Sequence, residues 1–213
     1  MNFDDFLILL SKIKNKDLPG EVSHFKMVPP FRQELLKKQQ NSIKTAKKAG
    51  VLALFYPDLK HETKFVLTLR KSYKGVHSAQ VSFPGGKFEP EDKTLEETAL
   101  RETQEEVGVP LKDVTIVKKI SQVYIPPSNF YVYPYLGFVK KMPNFIKEEA
   151  EVETILEINL EDLLNDKLLT SKTLKTSYSK LVEVPAFYFN QHIVWGATAM
   201  MLSEIKDLIK DSL

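Results

Sequence analysis

Cysteine is absent from the 213 residues of this chain. Disulfide staples, thiol nucleophiles and cysteine-ligated zinc are therefore excluded. An excess of one charge is absent too: 30 Lys and Arg face 28 Asp and Glu, a formal net charge of +2. No general affinity for polyanions follows. No basic stripe with interleaved aromatics appears, which argues against a nucleic-acid partner. No stretch approaches the ~18 apolar residues of a membrane span, so no membrane partner is expected. The apolar run near the start, in MNFDDFLILLSKIKNK, is only five residues long and follows two aspartates. A secretory signal needs a basic start and a longer apolar core, so the expected location is cytoplasmic. Repeats and low-complexity tracts are also missing. What is present, 43% hydrophobic and 27% charged residues, is the make-up of an ordinary soluble globule. Lysines cluster at Lys37-Lys38, between Lys44 and Lys48, and between Lys71 and Lys74. The first two clusters read as solvated surface.

Hydrophobic spacing sets out the elements. Phe3, Phe6, Leu7, Leu10 and Ile13 recur at helical intervals, and Pro19 and Gly20 end that helix. Residues 31–48 are polar and lysine-rich and read as a connector of helical character. Strands are expected at 50–56 (GVLALFY) and 64–70 (KFVLTLR), with Pro57-Asp58 opening the turn between them. Val81-Ser82-Phe83 reads as a short strand running into Gly85-Gly86. A helix is expected from about Leu95 to Val107, with Thr94 and Glu97 as a capping box and Gly108 as a left-handed cap. Further strands are expected at 113–124, 130–140, 151–158 and 181–189, where Pro185 argues for an edge or a bulge. A short helix at 160–164 and a final helix from Ala197 to about Lys210 complete the set. Strands interspersed with helices predict an α/β fold, a mixed sheet covered on both faces.

The chemistry concentrates in residues 85–109, GGKFEPEDKTLEETALRETQEEVGV. Glu102, Glu105 and Glu106 stand at i, i+3 and i+4, so they are neighbours on one side of the helix. Three clustered carboxylates repel one another unless a cation lies among them, and oxygen-rich clusters suit Mg²⁺ or Mn²⁺. A surface helix laced with Arg–Glu pairs is the plain alternative. Gly85-Gly86 reads as a tight loop that lets backbone approach a ligand closely.

This block resembles the signature of the Nudix hydrolases, Gly-x5-Glu-x7-Arg-Glu-U-x-Glu-Glu-x-Gly-U, where U is aliphatic. Gly86, Arg101, Glu102, Glu105, Glu106, Gly108 and Val109 carry the match. Asp92 replaces the first glutamate, eight residues instead of seven separate it from Arg101, and Thr103 takes a U position. Together with TALRE at 98–102 and VLTLRKSYKGVHSAQVSFPGG at 66–86, these departures resemble the coenzyme A diphosphatase branch. Lys71, Val76 and Ala79 depart from that branch's pattern. The likeness spans roughly residues 46–205 and implies a Nudix-type α/β/α sandwich at 46–213 behind an N-terminal helical extension at 1–45. The absence of cysteine weighs against two relatives, the zinc-ribbon NADH diphosphatases and the isopentenyl diphosphate isomerases.

The resemblance implies Glu102 and Glu106 as principal ion ligands, with Glu105 joining directly or through water and the Gly86 carbonyl in reach. Arg101 is expected to orient a glutamate. Either Glu105 or Glu151 is expected as general base. His77 reads as a structural hydrogen-bonding residue or a substrate contact. Arg70 is expected on the substrate's phosphates, and Lys71, Lys74 and Lys87 are either surface charge or further phosphate contacts. Tyr124, Phe130, Tyr131, Tyr133, Tyr135 and Trp195 are expected to pack. The implied reaction is cleavage of coenzyme A, or its thioesters or oxidised form, to 3′,5′-ADP and 4′-phosphopantetheine or its acylated counterpart. The alternatives are hydrolysis of ADP-ribose or another dinucleoside diphosphate, for which Pro126-Pro127 lies at the marker-proline distance, RNA cap removal, and a nucleotide sensor that does not cut. By analogy a homodimer is open to such a fold.

Overall fold

The computed structural model describes residues 1–29, 43–71, 80–175 and 181–213, with backbone alone at 174 and 175. The central strand β1 (Lys47–Pro57) explains the apolar run in its own sequence. Ala49, Val51, Ala53 and Phe55 face one hydrophobic cluster, while Leu52, Leu54 and Tyr56 face another. A strand buried on both faces has no polar side to show. Strand β1 pairs antiparallel with β2 (Thr63–Arg70) and with the short β4 (Gly85–Lys87), and parallel with β7 (Phe130–Phe138). The mixed sheet has the order β3-β2-β1-β7-β5, where β3 is Val81–Ser82 and β5 is Thr115–Lys119. Strand β6 (Val123–Ile125) also joins β7, and β8 (Val152–Asn159) joins β2.

One face of this sheet is covered by α3 (Leu95–Val107). The other carries α1 (Phe3–Lys14) and α5 (Gly196–Lys210), with short α2 (Glu21–His24) between them in sequence. Helix α1 starts where its spacing predicts and buries Phe3, Phe6, Leu9, Leu10 and Ile13, with Leu7 only half-buried. The Phe6 and Phe55 ring centroids are 4.8 Å apart. Burying a side chain of this size contributes about 1.5–3 kcal/mol, so α1 belongs to the core it covers. A further three-stranded sheet, β11-β10-β9, is made of β9 (Leu169–Lys175), β10 (Leu181–Phe189) and β11 (His192–Trp195). Helix α4 (Leu160–Leu164) links β8 to it. Among the described residues no helix is long and apolar enough to cross a membrane.

Several expectations need correction. Residues 113–124 are not one strand: β5 and β6 pair with different stretches of β7, and the chain breaks between them at Ser121. The reason is a buried acid. Glu204 of α5 is fully buried and accepts from the Ser121 amide at 3.1 Å, the Gly20 amide at 3.2 Å and His24 Nε2 at 3.0 Å. Residues 47 and 48 belong to β1 rather than to a connector, while 30–42 lie outside the described residues. Strands β9 and β11 had no clear signal in the sequence. Pro185 sits in β10, the middle strand of its sheet, opposite Ser171 of β9. On its other side the last pair with β11 is Ala186 with Trp195, so the missing amide lies beyond the end of that strand.

Candidate active site

Helix α3 begins and ends as its sequence specifies. Thr94 Oγ accepts from the Glu97 amide at 3.1 Å, and Glu97 returns a carboxylate to the Lys93 amide at 2.7 Å. Gly108 closes the helix at φ 75°, ψ 13°. Thr103, the hydroxyl residue in an aliphatic position, is buried and donates to the Ala99 carbonyl at 2.6 Å, so its polar group is satisfied inside the helix.

Arg101 is the hub of the acidic face. Its Nε and Nη2 fork Asp92 at 2.9 and 3.0 Å, and Nη2 also donates to the Lys87 carbonyl at 3.2 Å. Its Nη1 reaches Glu102 and Glu105, both at 3.0 Å. Asp92 accepts in addition from the Glu89 amide and the Thr98 hydroxyl. The Arg101 fork holds the Asp92 carboxyl well below the usual carboxylate range despite burial, which acts the other way. Asp92 is thus the anchor that fixes Arg101, a role its position in the motif did not disclose.

Gly85 and Gly86, expected as a tight loop, instead follow a bend at Pro84 and open strand β4, paired with β1. Glu102 lies against them: a Cβ on Gly86 would stand 2.3 Å from the Glu102 carboxyl carbon. The absence of a side chain there is what lets this carboxylate meet the backbone. Glu106, 2% exposed, accepts from the Gly85 amide at 3.1 Å and from Arg70 Nη1 at 2.9 Å. Burial pushes its carboxyl up to about 7; Arg70 and the Gly85 amide oppose the rise, and Glu102 and Glu151 add to it. Burial likewise raises Glu102, against the pull of Arg101. Glu105, its side chain 56% exposed, pairs with Arg101 beside Glu102.

Glu151 arrives from a distant stretch. The Ile146 amide donates to the Val107 carbonyl at 3.1 Å and the Glu148 amide to the Glu106 carbonyl at 3.0 Å, lashing the segment before β8 to the last turn of α3. Glu151 Oε2 then lies 3.4 Å from Arg70 Nη2. Of the expected site residues, the structure gathers Arg70, Gly86, Arg101, Glu102, Glu105, Glu106 and Glu151. Lys87 offers its carbonyl to Arg101 while its side chain is exposed. His77, like Ser72 and Lys74, lies outside the described residues.

A divalent cation fits this donor set. Asp92, Glu102, Glu105, Glu106 and Glu151 share two guanidinium groups, leaving an excess of three formal negative charges when all are ionised. Among the described residues no three His, Asp or Glu side chains are gathered as an ion cluster. Glu102 and Glu106 meet the same pair of glycines at the start of β4.

Beside these glycines a cleft of about 430 Å³ opens on the α5 face of the sheet. Gly85, Gly86, Lys87 and Arg70 form its charged end; Val51, Val81, Phe130, Val132, Pro127, Trp195 and Met201 line the apolar remainder. Phe130 and Trp195, expected chiefly to pack, are therefore walls of the cleft. Their sequence neighbourhoods carried no sign of this, because the cleft joins β1, β3, β4, the β6–β7 turn and the start of α5.

The model of the Nudix domain matches residues 46–178. The chain belongs to the Nudix family. As a Nudix hydrolase it acts on diphosphate linkages, and Nudix enzymes generally use divalent cations. It is 29% identical over 184 residues to an uncharacterized Nudix hydrolase NudL of Yersinia pestis, a match covering 86% of this chain and 90% of that protein. The NudL of Yersinia pseudotuberculosis matches to the same extent, 29% over 184 residues. Among solved structures, a MutT/nudix family protein from Enterococcus faecalis superposes with a TM-score of 0.52 at 16% identity, covering 78% of this chain and 62% of that one, a likeness of fold.

Proposed function

We propose that this Nudix hydrolase cleaves the diphosphate of coenzyme A or its derivatives, giving 3′,5′-ADP and 4′-phosphopantetheine or its acylated form. The observation that carries the reading is the glycine pair opening β4, which meets Glu102 and Glu106 and also lines a largely apolar cleft with Arg70 and Lys87 at its mouth. A substrate laid across these glycines puts its diphosphate against the acidic ridge and an apolar or flat group in the cleft. The coenzyme A-type pattern at residues 66–102 supports the choice of substrate.

Glu102 and Glu106 would hold Mg²⁺ or Mn²⁺, with Glu105 and the Gly86 carbonyl as further donors. Such an ion, when bound, neutralises charge gathering on the diphosphate and lowers the pKa of the attacking water. Arg101, fixed by Asp92, keeps Glu102 aimed at these glycines. Either Glu151, linked to Glu106 through Arg70, or Glu105, linked to Glu102 through Arg101, serves as general base; their side chains are equally open, 55% and 56% exposed. In the reaction the water oxygen bonds to phosphorus, the bond from phosphorus to the bridging oxygen breaks, and the water proton passes to the base.

A second reading, hydrolysis of ADP-ribose, draws on Pro127, which lines the cleft. A panel of coenzyme A, 3′-dephospho-coenzyme A, ADP-ribose, NADH and diadenosine polyphosphates with Mg²⁺ or Mn²⁺ separates the two. The highest kcat/KM is expected for coenzyme A, with 3′,5′-ADP among the products. A higher value for ADP-ribose would replace the first reading with the second.

A further inference from the structure

Arg70 ends β2 where the ladder with β8 slips, between Leu69 and Arg70. A bulge at a strand end re-aims the side chain that follows it. The backbone is held on both sides of the slip: the Arg70 amide donates to the Gln80 carbonyl at 3.0 Å and the Lys71 amide to the Glu151 carbonyl at 2.9 Å. The guanidinium is 24% exposed and joins two carboxylates from elements remote in sequence, Glu106 at 2.9 Å and Glu151 at 3.4 Å. It also forms part of the cleft wall. Thus one cation stands both among the carboxylates proposed to serve the ion and at the mouth where the substrate's phosphates would enter.

A buried carboxylate left without a counter-charge is costly, and Glu106 is 2% exposed. Arg70 meets that need. A divalent cation arriving at Glu106 would take over the same need, so the guanidinium and the cation compete for one oxygen donor. We propose that Arg70 is an internal counter-ion, which holds Glu106 and Glu151 together until a divalent cation arrives and is then released toward the substrate's diphosphate. The inference rests on the proposed use of Glu106 as an ion ligand. Because coupling is reciprocal, whatever draws Arg70 into the cleft tightens ion binding, and ion binding makes Arg70 available to the diphosphate. A fork that pairs carboxylate and phosphate equally well suits this exchange, whereas a lysine offers only a point charge.

The test is Mn²⁺ binding to the intact protein without nucleotide, followed by electron paramagnetic resonance at about pH 8.5, where carboxylate ligands are deprotonated. Arg70→Met is expected to bind Mn²⁺ tighter than the parent chain by on the order of five- to tenfold, although it removes a positively charged side chain that an ordinary structural role would make stabilising. Arg70→Lys keeps the charge but loses the fork, and is expected to bind Mn²⁺ roughly two- to threefold tighter. It stands in if Arg70→Met fails to fold. With coenzyme A as substrate, Arg70→Met is expected to raise KM. Equal or weaker Mn²⁺ binding in the folded variants would overturn the inference, as would no Mn²⁺ binding to the parent chain. Tighter binding in the variants, with no turnover of coenzyme A by the parent, leaves Arg70's role standing and removes the substrate assignment alone.

Discussion

Alanine at Gly86 would put a methyl carbon 2.3–2.4 Å from the carboxyl carbon and both oxygens of Glu102. Unstrained non-bonded contacts lie near ~3.5–4.0 Å, so the carboxylate must retreat by more than ~1 Å. It is the far end of a flexible side chain, and an off-rotamer excursion costs about 0.5–1.5 kcal/mol. In a chain of this length about 1 kcal/mol shifts Tm by roughly 2–4 °C, so Gly86→Ala should melt within about 2–6 °C of the parent. Activity should fall much further, because misplacing a reacting group by about 1 Å can cost on the order of 10²-fold. Gly50→Ala is the control that separates the two effects. There the new methyl carbon would meet the Leu95 carbonyl oxygen at 2.3 Å and the Ala99 amide nitrogen at 2.9 Å, both backbone atoms of α3. Neither can swing aside, so α3 must lift from β1, a strain of about 1–3 kcal/mol or more. The assays are thermal melts beside steady-state kinetics with saturating Mg²⁺. If Gly86→Ala lost as much stability as Gly50→Ala, or kept the parent kcat/KM, the seat of Glu102 over Gly86 would not be what this glycine provides.

Asp92→Asn is expected to lower kcat roughly 10–100-fold at nearly constant KM, since it loosens Arg101 without touching the cleft; a rise in KM alone would reject a positioning role. Glu204→Gln should destabilise the chain at neutral pH and flatten its acid dependence. Burial alone would raise Glu204, but the hydrogen bonds from His24 and Ser121 outweigh it and the net shift is downward from 4.5. Its stabilisation is therefore present above the unfolded value and lost as pH falls below it. Melting curves from pH 7 to about 3 check the sign, and a parallel decline in parent and variant would contradict it. Chelation with EDTA should abolish turnover while leaving far-ultraviolet circular dichroism intact, because the two hydrophobic clusters are built without the ion. Restored Mg²⁺ or Mn²⁺ should return the activity, and loss of fold on chelation would assign the ion a structural role.

Local features were legible because their causes are local. Thr94, Glu97 and Gly108 bracket α3 through contacts within a few residues, and the acidic ridge follows from helical spacing. The run in β1 could announce burial, yet not which neighbour covers each face. The described side chains of β9 are mostly exposed and β11 is only four residues long, so no alternation marks them. The split of 113–124 at Ser121 was hidden because its partner, Glu204, lies in α5, 83 positions further along the chain.

Residue order alone was enough for the family resemblance and the ridge of Glu102, Glu105 and Glu106, since an α-helix converts spacing into a shared face without help from the rest of the chain. Folding settled the matters that spacing cannot reach. It turned Asp92 into the anchor of Arg101, joined Arg70 to Glu106 and Glu151, and made Phe130 and Trp195 walls of one cleft. Each of these depends on where separate strands and loops meet. Those meetings are fixed by burial and register across the whole sheet, which no short stretch of residues encodes.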